Sequence, residues 1–299
     1  MLSGGAEMEE SFQLARWILE SVRTVVFTGA GVSTESGIPD FRSPGGLWEK
    51  YDPEDFSFQR FLSNRSSRER YWEMSTEAFA TISQATPNAA HRSIAKLERM
   101  GLIDCVITQN IDGLHQLAGT SPSRVIELHG TCRTVSCLSC RKRWPREEVH
   151  QMVLAGVKVP MCDACGGFLK PDTISFGQPM PEKETAEAFR RSQQADLFIV
   201  LGSSLVVQPA ASMPVVAKEA GARLVIVNRD ATVLDRLADL VIRGSCGHVM
   251  ELVLEEVTRA GRAWESIPRR SPCGPPHSRF PLLPGQGRNT DCPTGRRPS

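Results

Sequence analysis

Two cysteine pairs are the most specific chemical signal in the chain. Cys137 and Cys140 form one C-x2-C pair, and Cys162 and Cys165 form the second, with residues 141–161 between them. This spacing is close to that of four-thiolate zinc sites, in which each pair presents two sulfurs to one tetrahedral ion. Four thiolates leave no position for an activated water, so we predict a structural zinc. Two disulfides or a redox pair are the alternatives.

A histidine and a short polar run could bind a ligand and move a proton. Gln109, Asn110 and Asp112 follow a predicted strand, and His129 precedes Gly130. Amides and a carboxylate at the carboxyl end of a strand are well placed to hold ribose hydroxyls or a carboxamide. An imidazole titrates near neutral pH, as a general base must. A hydrogen-bonded structural imidazole is the alternative for His129.

A glycine-rich string follows the first predicted strand. It begins at Gly29, Ala30 and Gly31 and runs to Gly37. Glycine permits a positive φ and lets a phosphate approach the backbone, and a following helix would offer free N–H groups. The string therefore suits a nucleotide pyrophosphate. The dinucleotide fingerprint is incomplete because Thr34 occupies the place of the third glycine, so a tight turn without a ligand is the alternative.

The elements that must position these residues alternate along the chain. Short β-branched runs predict strands at residues 24–27, 104–108, 196–201, 224–228 and 240–243. Apolar residues at helical spacing predict helices at residues 11–21, 90–100 and 213–220. This alternation predicts an α/β fold with a Rossmann-like, mostly parallel sheet covered on both faces. Such sheets bind ligands at the carboxyl ends of their strands.

The composition excludes several classes of protein. The chain has 299 residues, of which 40% are hydrophobic and 23% charged, and its apolar runs are too short to span a membrane. Residues 1–10 show no signal peptide, so we expect a cytoplasmic protein.

Residues 262–299 hold seven arginines among many prolines and glycines, and we predict a disordered basic tail. The remaining body is mildly acidic, which makes nucleic acid an unlikely partner.

Taken in order, these motifs resemble those of the sirtuins, the NAD-dependent protein-lysine deacylases, in their zinc-containing, prokaryote-like form. The resemblance covers about residues 10–257. The matching segments are residues 29–43, 108–112, 129–130, the paired cysteines, 176–177, 202–204 and 227–228.

The resemblance implies NAD as co-substrate and assigns site residues. His129 becomes the general base, with Asn110 as a second catalytic residue. Phe41 would shield the reactive sugar, and Asn110 to Asp112 would accept the nicotinamide carboxamide. The implied NAD contacts are Gly29, Ala30, Gly31, Glu35, Asp40, Phe41, Arg42, Gln109, Asn110, Ile111, Asp112, Gly202, Ser203, Ser204, Asn228, Arg229, Asp230 and Cys246.

The implied reaction transfers an acyl group from lysine to ADP-ribose. In the family, the acyl-lysine amide oxygen attacks the anomeric carbon of the nicotinamide ribose and expels nicotinamide. The histidine then accepts a proton from a ribose hydroxyl, and water completes the release of lysine and acylated ADP-ribose. An ADP-ribosyltransferase using the same pocket and a non-enzymatic zinc-ribbon binding module are the alternative functions.

The resemblance also implies a domain division. The NAD-binding domain would comprise residues 1–128 and 177–261, with a helical cofactor-loop insertion at about 38–88. The zinc-binding module would comprise residues 129–176, and the tail residues 262–299. The implied fold class is thus α/β, a Rossmann-like sheet domain with a smaller zinc-ribbon plus helical module.

Acylated lysine peptides or proteins are the implied partners. In the family, an extended peptide pairs as a strand between the two units, and residues 174–177 and 205–207 are the candidate flanking segments. Gln178 stands where many members carry Glu. We interpret this as a neutral surface change, and weaker selection for basic peptide flanks is the alternative. Members that favour succinyl or malonyl lysine carry Tyr-x-x-Arg, whereas this chain has Tyr71 and Met74 at those positions. We therefore expect removal of acetyl or another uncharged acyl group.

Overall fold

The structure is a computed structural model that describes residues 3–40 and 56–265. Its strands are β1 Thr24–Thr28, β2 Cys105–Thr108, β3 Val125–Glu127, β4 Gly130–Cys137, β5 Arg143–Pro145, β6 Leu169–Thr173, β7 Leu197–Leu201, β8 Arg223–Val227 and β9 Leu240–Ile242. The described helices are α1 Ser3–Glu20, α2 Phe58–Ser63, α3 Arg65–Gln84, α4 Ala89–Arg99, α5 Leu114–Leu117, α6 Arg146–Leu154, α7 Glu182–Gln194, α8 Met213–Glu219 and α9 Cys246–Glu265.

The larger sheet has six parallel strands in the order β3-β2-β1-β7-β8-β9. Its central strands β1 and β7 are buried along their whole length, which explains why both are continuous apolar or β-branched runs. The register pairs Thr28 with both Thr108 and Leu201, and Leu201 in turn pairs with Val227. Four strands therefore end in line, and the loops that follow them share one edge of the sheet.

Helices cover both faces of this sheet. On one face, α1, α4 and α9 pack over β1, β2, β7 and β8, with buried side chains such as Ile18, Ile94 and Val253. On the other face, α7 and α8 contribute Ala188 and Met213 to a second apolar cluster. The predicted α/β fold and its mostly parallel sheet are confirmed.

The smaller unit is a three-stranded antiparallel sheet in the order β5-β4-β6. It shares a core with α2 and α3, because Phe61, Trp72, Val135 and Val149 belong to one buried cluster. The helices that follow the glycine-rich string therefore pack on the cysteine-bearing unit. The domain boundaries derived from the sequence stay a prediction.

Local signals explain where several helices begin. The Asn88 side chain accepts hydrogen bonds from the N–H groups of Ala90 and His91, and the Asn64 side chain accepts one from Ser67 N–H. These caps satisfy amides that have no partner within the helix, so α3 and α4 each start directly after an asparagine.

One local expectation was wrong. The glycine-rich string was expected to run into a helix, but it forms two 3₁₀ turns, Ala30–Val32 and Thr34–Ser36. Gly37 then adopts a left-handed conformation, and Pro39 follows it. These two residues stop a helix from propagating.

Within the described ranges, no helix is both long and apolar enough to cross a membrane.

Candidate active site

A cavity of about 850 Å³ opens at the edge where β1, β2, β7 and β8 end. Side chains from α3 and from the three-stranded sheet complete its wall. The sequence-predicted site residues that line it are Ala30, Gly31, Asp40, Gln109, Asn110, Ile111, Asp112, His129, Gly202, Ser203, Ser204, Asn228 and Asp230. Residues far apart in the chain thus meet around one space, as the sheet topology requires.

Four other predicted residues are not part of the cavity wall. These are Gly29, Glu35, Arg229 and Cys246. The Glu35 carboxylate accepts a hydrogen bond from Gly247 N–H at 3.0 Å, at the start of α9. Phe41 and Arg42 lie outside the described residues, so their roles stay predictions.

The loops after β1 and β7 touch through their backbones. Gly31 N–H donates to the Gly202 carbonyl at 2.8 Å. A Cβ on Gly31 would lie 2.8 Å from Gly202 Cα, and a Cβ on Gly202 would lie 2.3 Å from Val32 N. Gly202 also has a φ of 62°, in the left-handed region. Only glycines allow this close approach, which forms a narrow, backbone-lined floor.

His129 is half-buried between β3 and β4, and its orientation is determined by one hydrogen bond. Its Nδ1 lies 2.9 Å from the carbonyl oxygen of Gln109. A carbonyl only accepts, so Nδ1 carries the proton and Nε2 of the neutral ring holds the free lone pair. Burial lowers the pKa of His129, although the bond to Gln109 opposes the shift. The neutral imidazole is therefore the dominant form near pH 7.

A polar network links the first and second strand-end loops. Ser33 Oγ donates to Asp112 Oδ2 at 2.8 Å, and Asn110 Nδ2 donates to Ser33 Oγ at 3.0 Å and to Gly29 O at 3.1 Å. Leu114 N–H donates to the other Asp112 oxygen at 2.9 Å. Asp112 thus acts as a buried acceptor. Ser33 was missed as a site residue, although its place in the glycine-rich string was a signal for it.

A second link joins the loops after β2 and β7. Ser203 Oγ donates to Gln109 Oε1 at 2.8 Å, and Gln109 N–H donates to Thr28 O at 3.0 Å. Gln109 therefore contacts both neighbouring loops while its carbonyl orients His129. The polar run that follows β2 acts as the centre of the site.

Behind the cavity, two buried histidines are in contact. The ring centroids of His91 and His115 are 4.9 Å apart. His115 Nε2 lies 3.0 Å from Thr28 Oγ1, and both Thr28 Oγ1 and Asn110 N–H donate to Thr108 Oγ1. Burial lowers the pKa of His91 to about 4 and the pKa of His115 well below its ordinary value. The pair is therefore neutral at pH 7.

The four paired cysteines converge at the end of the smaller sheet. Sγ of Cys137 lies 3.5 Å from Sγ of Cys165, and Sγ of Cys140 lies 3.6 Å from Sγ of Cys162. All four sulfurs lie within 4.8 Å of one another. A disulfide requires about 2.05 Å, whereas sulfurs bound to one tetrahedral zinc at about 2.3 Å are spaced much as observed. The donor set fits one zinc ion and leaves no open position.

Backbone amides within the first cysteine pair further support a thiolate site. N–H groups of Cys140 and Ser139 donate to Cys137 Sγ at 3.5 and 3.4 Å. With the Cys140 amide as the largest cause, these bonds lower the pKa of the Cys137 thiol to about 6. Two amide donors therefore stabilise the thiolate form of Cys137, which is the form that binds a metal ion.

The Sir2 family profile matches residues 29–209. The chain belongs to the Sir2 family. It is 45% identical over 240 residues to an NAD-dependent protein deacetylase of Thermodesulfovibrio yellowstonii, covering 80% of this chain and 92% of that protein. It is 45% identical over 255 residues to NAD-dependent protein deacylase 2 of Archaeoglobus fulgidus, covering 84% of this chain and 98% of the relative.

Solved Sir2 structures share the fold. A structure described as Sir2 with a p53 peptide and NAD⁺ has a TM-score of 0.76 and 41% identity, and covers 83% of this chain and 98% of the other. Another, of a Sir2 variant with a deacetylated p53 peptide and 3′-O-acetyl ADP-ribose, has a TM-score of 0.77 and 42% identity, over 82% and 97% of the two chains. The predicted family is confirmed.

Proposed function

We propose that this Sir2 protein removes acyl groups from lysine side chains of proteins and consumes NAD as it does so. The observation that carries the proposal is His129, whose Nδ1–H is held by the Gln109 carbonyl and whose ring lines the cavity built from the strand-end loops. A neutral imidazole with a free Nε2 is the group required for general-base catalysis near pH 7.

The strand-end loops are suited to the parts of NAD. The floor formed by Gly31 and Gly202 takes the diphosphate, since backbone there is accessible without interfering side chains. Asn110 and Asp112, held by Ser33, take the nicotinamide carboxamide. Asn228 and Asp230, at the end of β8, take the adenosine ribose. Gly29, Glu35 and Cys246 then contact the loops or strand ends from outside the wall, while Arg229 stays a predicted contact of the adenosine ribose.

The chain's own residues have three tasks in the reaction. NAD supplies an electrophilic ribose carbon with nicotinamide as leaving group, and the acyl group ends on ADP-ribose while water balances the release of free lysine. His129 Nε2 accepts the proton of a ribose hydroxyl. Asn110 and Asp112 orient the leaving group within the cavity, and the segment around Phe41 is predicted to keep solvent from the reacting carbon.

The substrate peptide is expected to enter between the two units. Ile174, Phe176 and Val206 line the cavity, and Phe176 and Val206 are each 50% exposed. An extended peptide between these segments would be bound by main-chain pairing, and the exposed apolar groups would contact its side chains. Gln178 is engaged in its own turn, because its Oε1 accepts from Ser175 N–H at 3.2 Å. This agrees with a neutral role for the Glu-to-Gln departure.

The zinc ion would hold the smaller unit together. Cys137, Cys140, Cys162 and Cys165 would bind it at the end of β4, away from the cavity-lining residues. The ion would stabilise the fold because it joins the two cysteine pairs, which are separated along the chain. A cytoplasmic location is retained as a prediction from the sequence.

The test is a product analysis with purified protein, NAD and an acetyl-lysine peptide. We expect one nicotinamide and one acetylated ADP-ribose for each deacetylated peptide, measured by mass spectrometry. Transfer of label from radiolabelled NAD to protein would instead indicate an ADP-ribosyltransferase. Absence of nicotinamide release would indicate a binding module.

A further inference from the structure

A buried lysine lies one peptide group away from the backbone of His129, and the proposed chemistry does not use it. Lys170 belongs to β6 and is 2% exposed. It does not line the cavity, and it lies outside the sequence motifs, between the second cysteine pair and the segment at residues 174–177. Lysine is rarely buried unless its charge is paired, so the partners of this ammonium group indicate its role.

The partners of Lys170 are backbone carbonyls of its own strand. Its Nζ donates to the Thr173 carbonyl and, at 3.3 Å, to the Pro171 carbonyl. β6 is an edge strand of the smaller sheet, and an edge strand has a row of backbone groups that no neighbouring strand satisfies. Because buried carbonyls need a donor, the Lys170 side chain supplies hydrogen bonds that a further strand would otherwise supply.

One peptide group connects Lys170 with His129. The Thr173 carbonyl, which accepts from Lys170, and the N–H of Ile174 belong to the same planar trans unit, so they point in opposite directions. Ile174 N–H donates to the His129 carbonyl at 2.9 Å. The ammonium group and the His129 carbonyl therefore lie at the two ends of one hydrogen-bonded chain, in which each bond strengthens the next.

The residue after His129 packs on the same part of β6. Gly130 has a φ of 71° and pairs with Thr173. A Cβ on Gly130 would lie 2.0 Å from the Asp172 carbonyl oxygen, so only glycine allows this approach. The register between β4 and β6 then shifts after Gly130. The regular ladder is thus interrupted next to His129, and the bond from Ile174 N–H holds its backbone there.

Helix α3 closes the space around the ammonium group. Nζ of Lys170 lies 5.5 Å from the centroid of the Tyr71 ring, and the Tyr71 hydroxyl lies 3.2 Å from Thr173 Oγ1. Burial by itself raises the pKa of Tyr71, but the charge of Lys170 and hydrogen bonds from neighbouring side chains lower it overall. The ammonium group therefore lies close enough to Tyr71 and Thr173 to hold α3 and β6 together.

We propose that Lys170 is a positioning residue for the base His129. Its ammonium group acts through the Thr173–Ile174 peptide group and fixes the backbone of the base, whose ring is held by Gln109. Proton transfer requires Nε2 to lie within hydrogen-bond distance of the ribose hydroxyl, so both the backbone and the ring must be held. This inference rests on the proposed deacylase function.

The test separates two stages of the proposed reaction. Expulsion of nicotinamide precedes proton transfer to His129, and its reversal places labelled nicotinamide into NAD when an acetyl-lysine peptide is present. In Lys170→Met, kcat for deacetylation should fall by about 10- to 100-fold, because a misplaced base transfers protons poorly. Exchange of labelled nicotinamide should stay close to the wild-type rate, since that stage needs no base. A loss of both rates by the same factor would overturn the inference.

A double-mutant cycle shows whether Lys170 acts through His129. The loss of deacetylation caused by Lys170→Met should disappear in the His129→Ala background, because a missing ring cannot be misplaced. The same loss in both backgrounds would contradict the positioning role.

Milder variants extend the test. Lys170→Arg should recover most of the deacetylation rate, because a guanidinium group can also donate to the Thr173 carbonyl. If Lys170→Met does not fold, Lys170→Gln keeps an uncharged donor at this position and should still lose deacetylation more than exchange. Equal losses of the two rates in Lys170→Gln would overturn the inference as well.

Arg68→Met is the matched control. Arg68 is also buried, and its Nη1 donates to the carbonyls of Phe61 and Leu62, which belong to α2 and not to β6. This variant should change deacetylation and exchange by the same factor, if at all. A selective loss of deacetylation in Arg68→Met would contradict the assignment to Lys170, because any buried cation of this unit would then have the effect.

The wild-type enzyme distinguishes this inference from the proposed function. If it exchanges nicotinamide and deacetylates the peptide while Lys170→Met slows both equally, only the role of Lys170 fails. If the wild-type enzyme does neither with any acyl peptide, the deacylase function itself fails.

Discussion

At the scale of single residues, a backbone carbonyl decides which nitrogen of His129 is free for chemistry. The Gln109 carbonyl requires a proton on Nδ1 and leaves Nε2 as the base. Gln109 is itself held by Ser203 and Thr28, so three strand ends determine the position of one imidazole. The chemistry therefore depends on the alignment of the sheet as much as on the histidine.

His129→Ala should lower kcat/KM for deacylation by about 10²- to 10⁴-fold, the usual contribution of a general base. In the wild type, burial lowers the pKa of His129, and only the neutral ring can accept a proton. The rate should therefore fall on acidification with a midpoint below about 6.5, the ordinary histidine value. A pH profile of kcat/KM measures both effects.

The control for this experiment is His248→Ala, because His248 is exposed at the start of α9. This variant should keep the wild-type profile. An acid limb that persists unchanged in His129→Ala would contradict the role given to His129.

At the scale of elements, two loops determine whether NAD can approach the backbone. Gly31 and Gly202 are in contact, and a side chain on either would clash with backbone atoms of the other loop. Backbone atoms cannot turn away as a flexible side chain can. The floor of the cavity is thus a consequence of how β1 and β7 pair.

Gly202→Ala should weaken NAD binding by at least about tenfold and destabilise the fold by about 1–3 kcal/mol, because its Cβ would overlap Val32 N. Isothermal calorimetry and thermal unfolding measure the two effects. Gly221→Ala is the matched control, since Gly221 has a φ of 97° and open space around a built Cβ. Gly221→Ala should lower the free energy of unfolding only by its backbone strain, about 1 kcal/mol, and should leave NAD affinity unchanged. Equal NAD affinity in both variants would argue against the close approach.

Metal binding also acts at the scale of elements. Cys137→Ser should release the zinc ion and lower the melting temperature, because three ligands no longer close the site. The effect should extend to α2 and α3, whose Phe61 and Trp72 share a core with the zinc-bearing sheet. Metal analysis and hydrogen exchange of these helices measure it. Cys292→Ser, outside the predicted ligand set, should keep both properties. Full zinc content in Cys137→Ser would contradict the four-thiolate site.

At the scale of the whole molecule, a buried pair of histidines couples stability to pH. His91 and His115 are neutral in the fold, and the charged groups that act on His91 are Asp112, Arg92 and Glu35. The folded pKa of His91 lies below the unfolded value, so its contribution to stability is complete above about pH 6.5 and is lost as the pH falls towards about 4. Each pKa unit corresponds to about 1.4 kcal/mol.

His91→Phe should therefore flatten the fall in unfolding free energy between about pH 6.5 and about pH 4, because a phenyl ring cannot gain a proton. Urea unfolding at several pH values measures the slope. His248→Ala, an exposed histidine, should retain the wild-type slope. A slope that is the same in His91→Phe and the wild type would show that His91 does not gain a proton on unfolding.

Much of the fold could be predicted from local pattern. The strands predicted at residues 24–27 and 196–201 are within one residue of β1 and β7, since buried parallel strands are continuous apolar runs. The prediction of a helix after the glycine-rich string was wrong, because the left-handed conformation of Gly37 and the nearby Pro39 stop a helix from propagating. The shared core of α3 and the zinc-bearing sheet could not be predicted. The amphipathic pattern of a helix shows which of its faces is buried but does not specify the element that covers that face.

The amino-acid sequence by itself determined the features that depend on residues close together in the chain. These are the two cysteine pairs, the glycine-rich turn and the polar run after β2, and together they indicate the family. Only the tertiary structure decided what these parts face. It oriented His129 through a carbonyl twenty positions away, held Asp112 with Ser33, and joined the loops after β1 and β7 through Gly31 and Gly202. The reason is physical: residue type and spacing set local conformation, whereas burial, proton position and unpaired charge depend on contacts that only the packed chain creates.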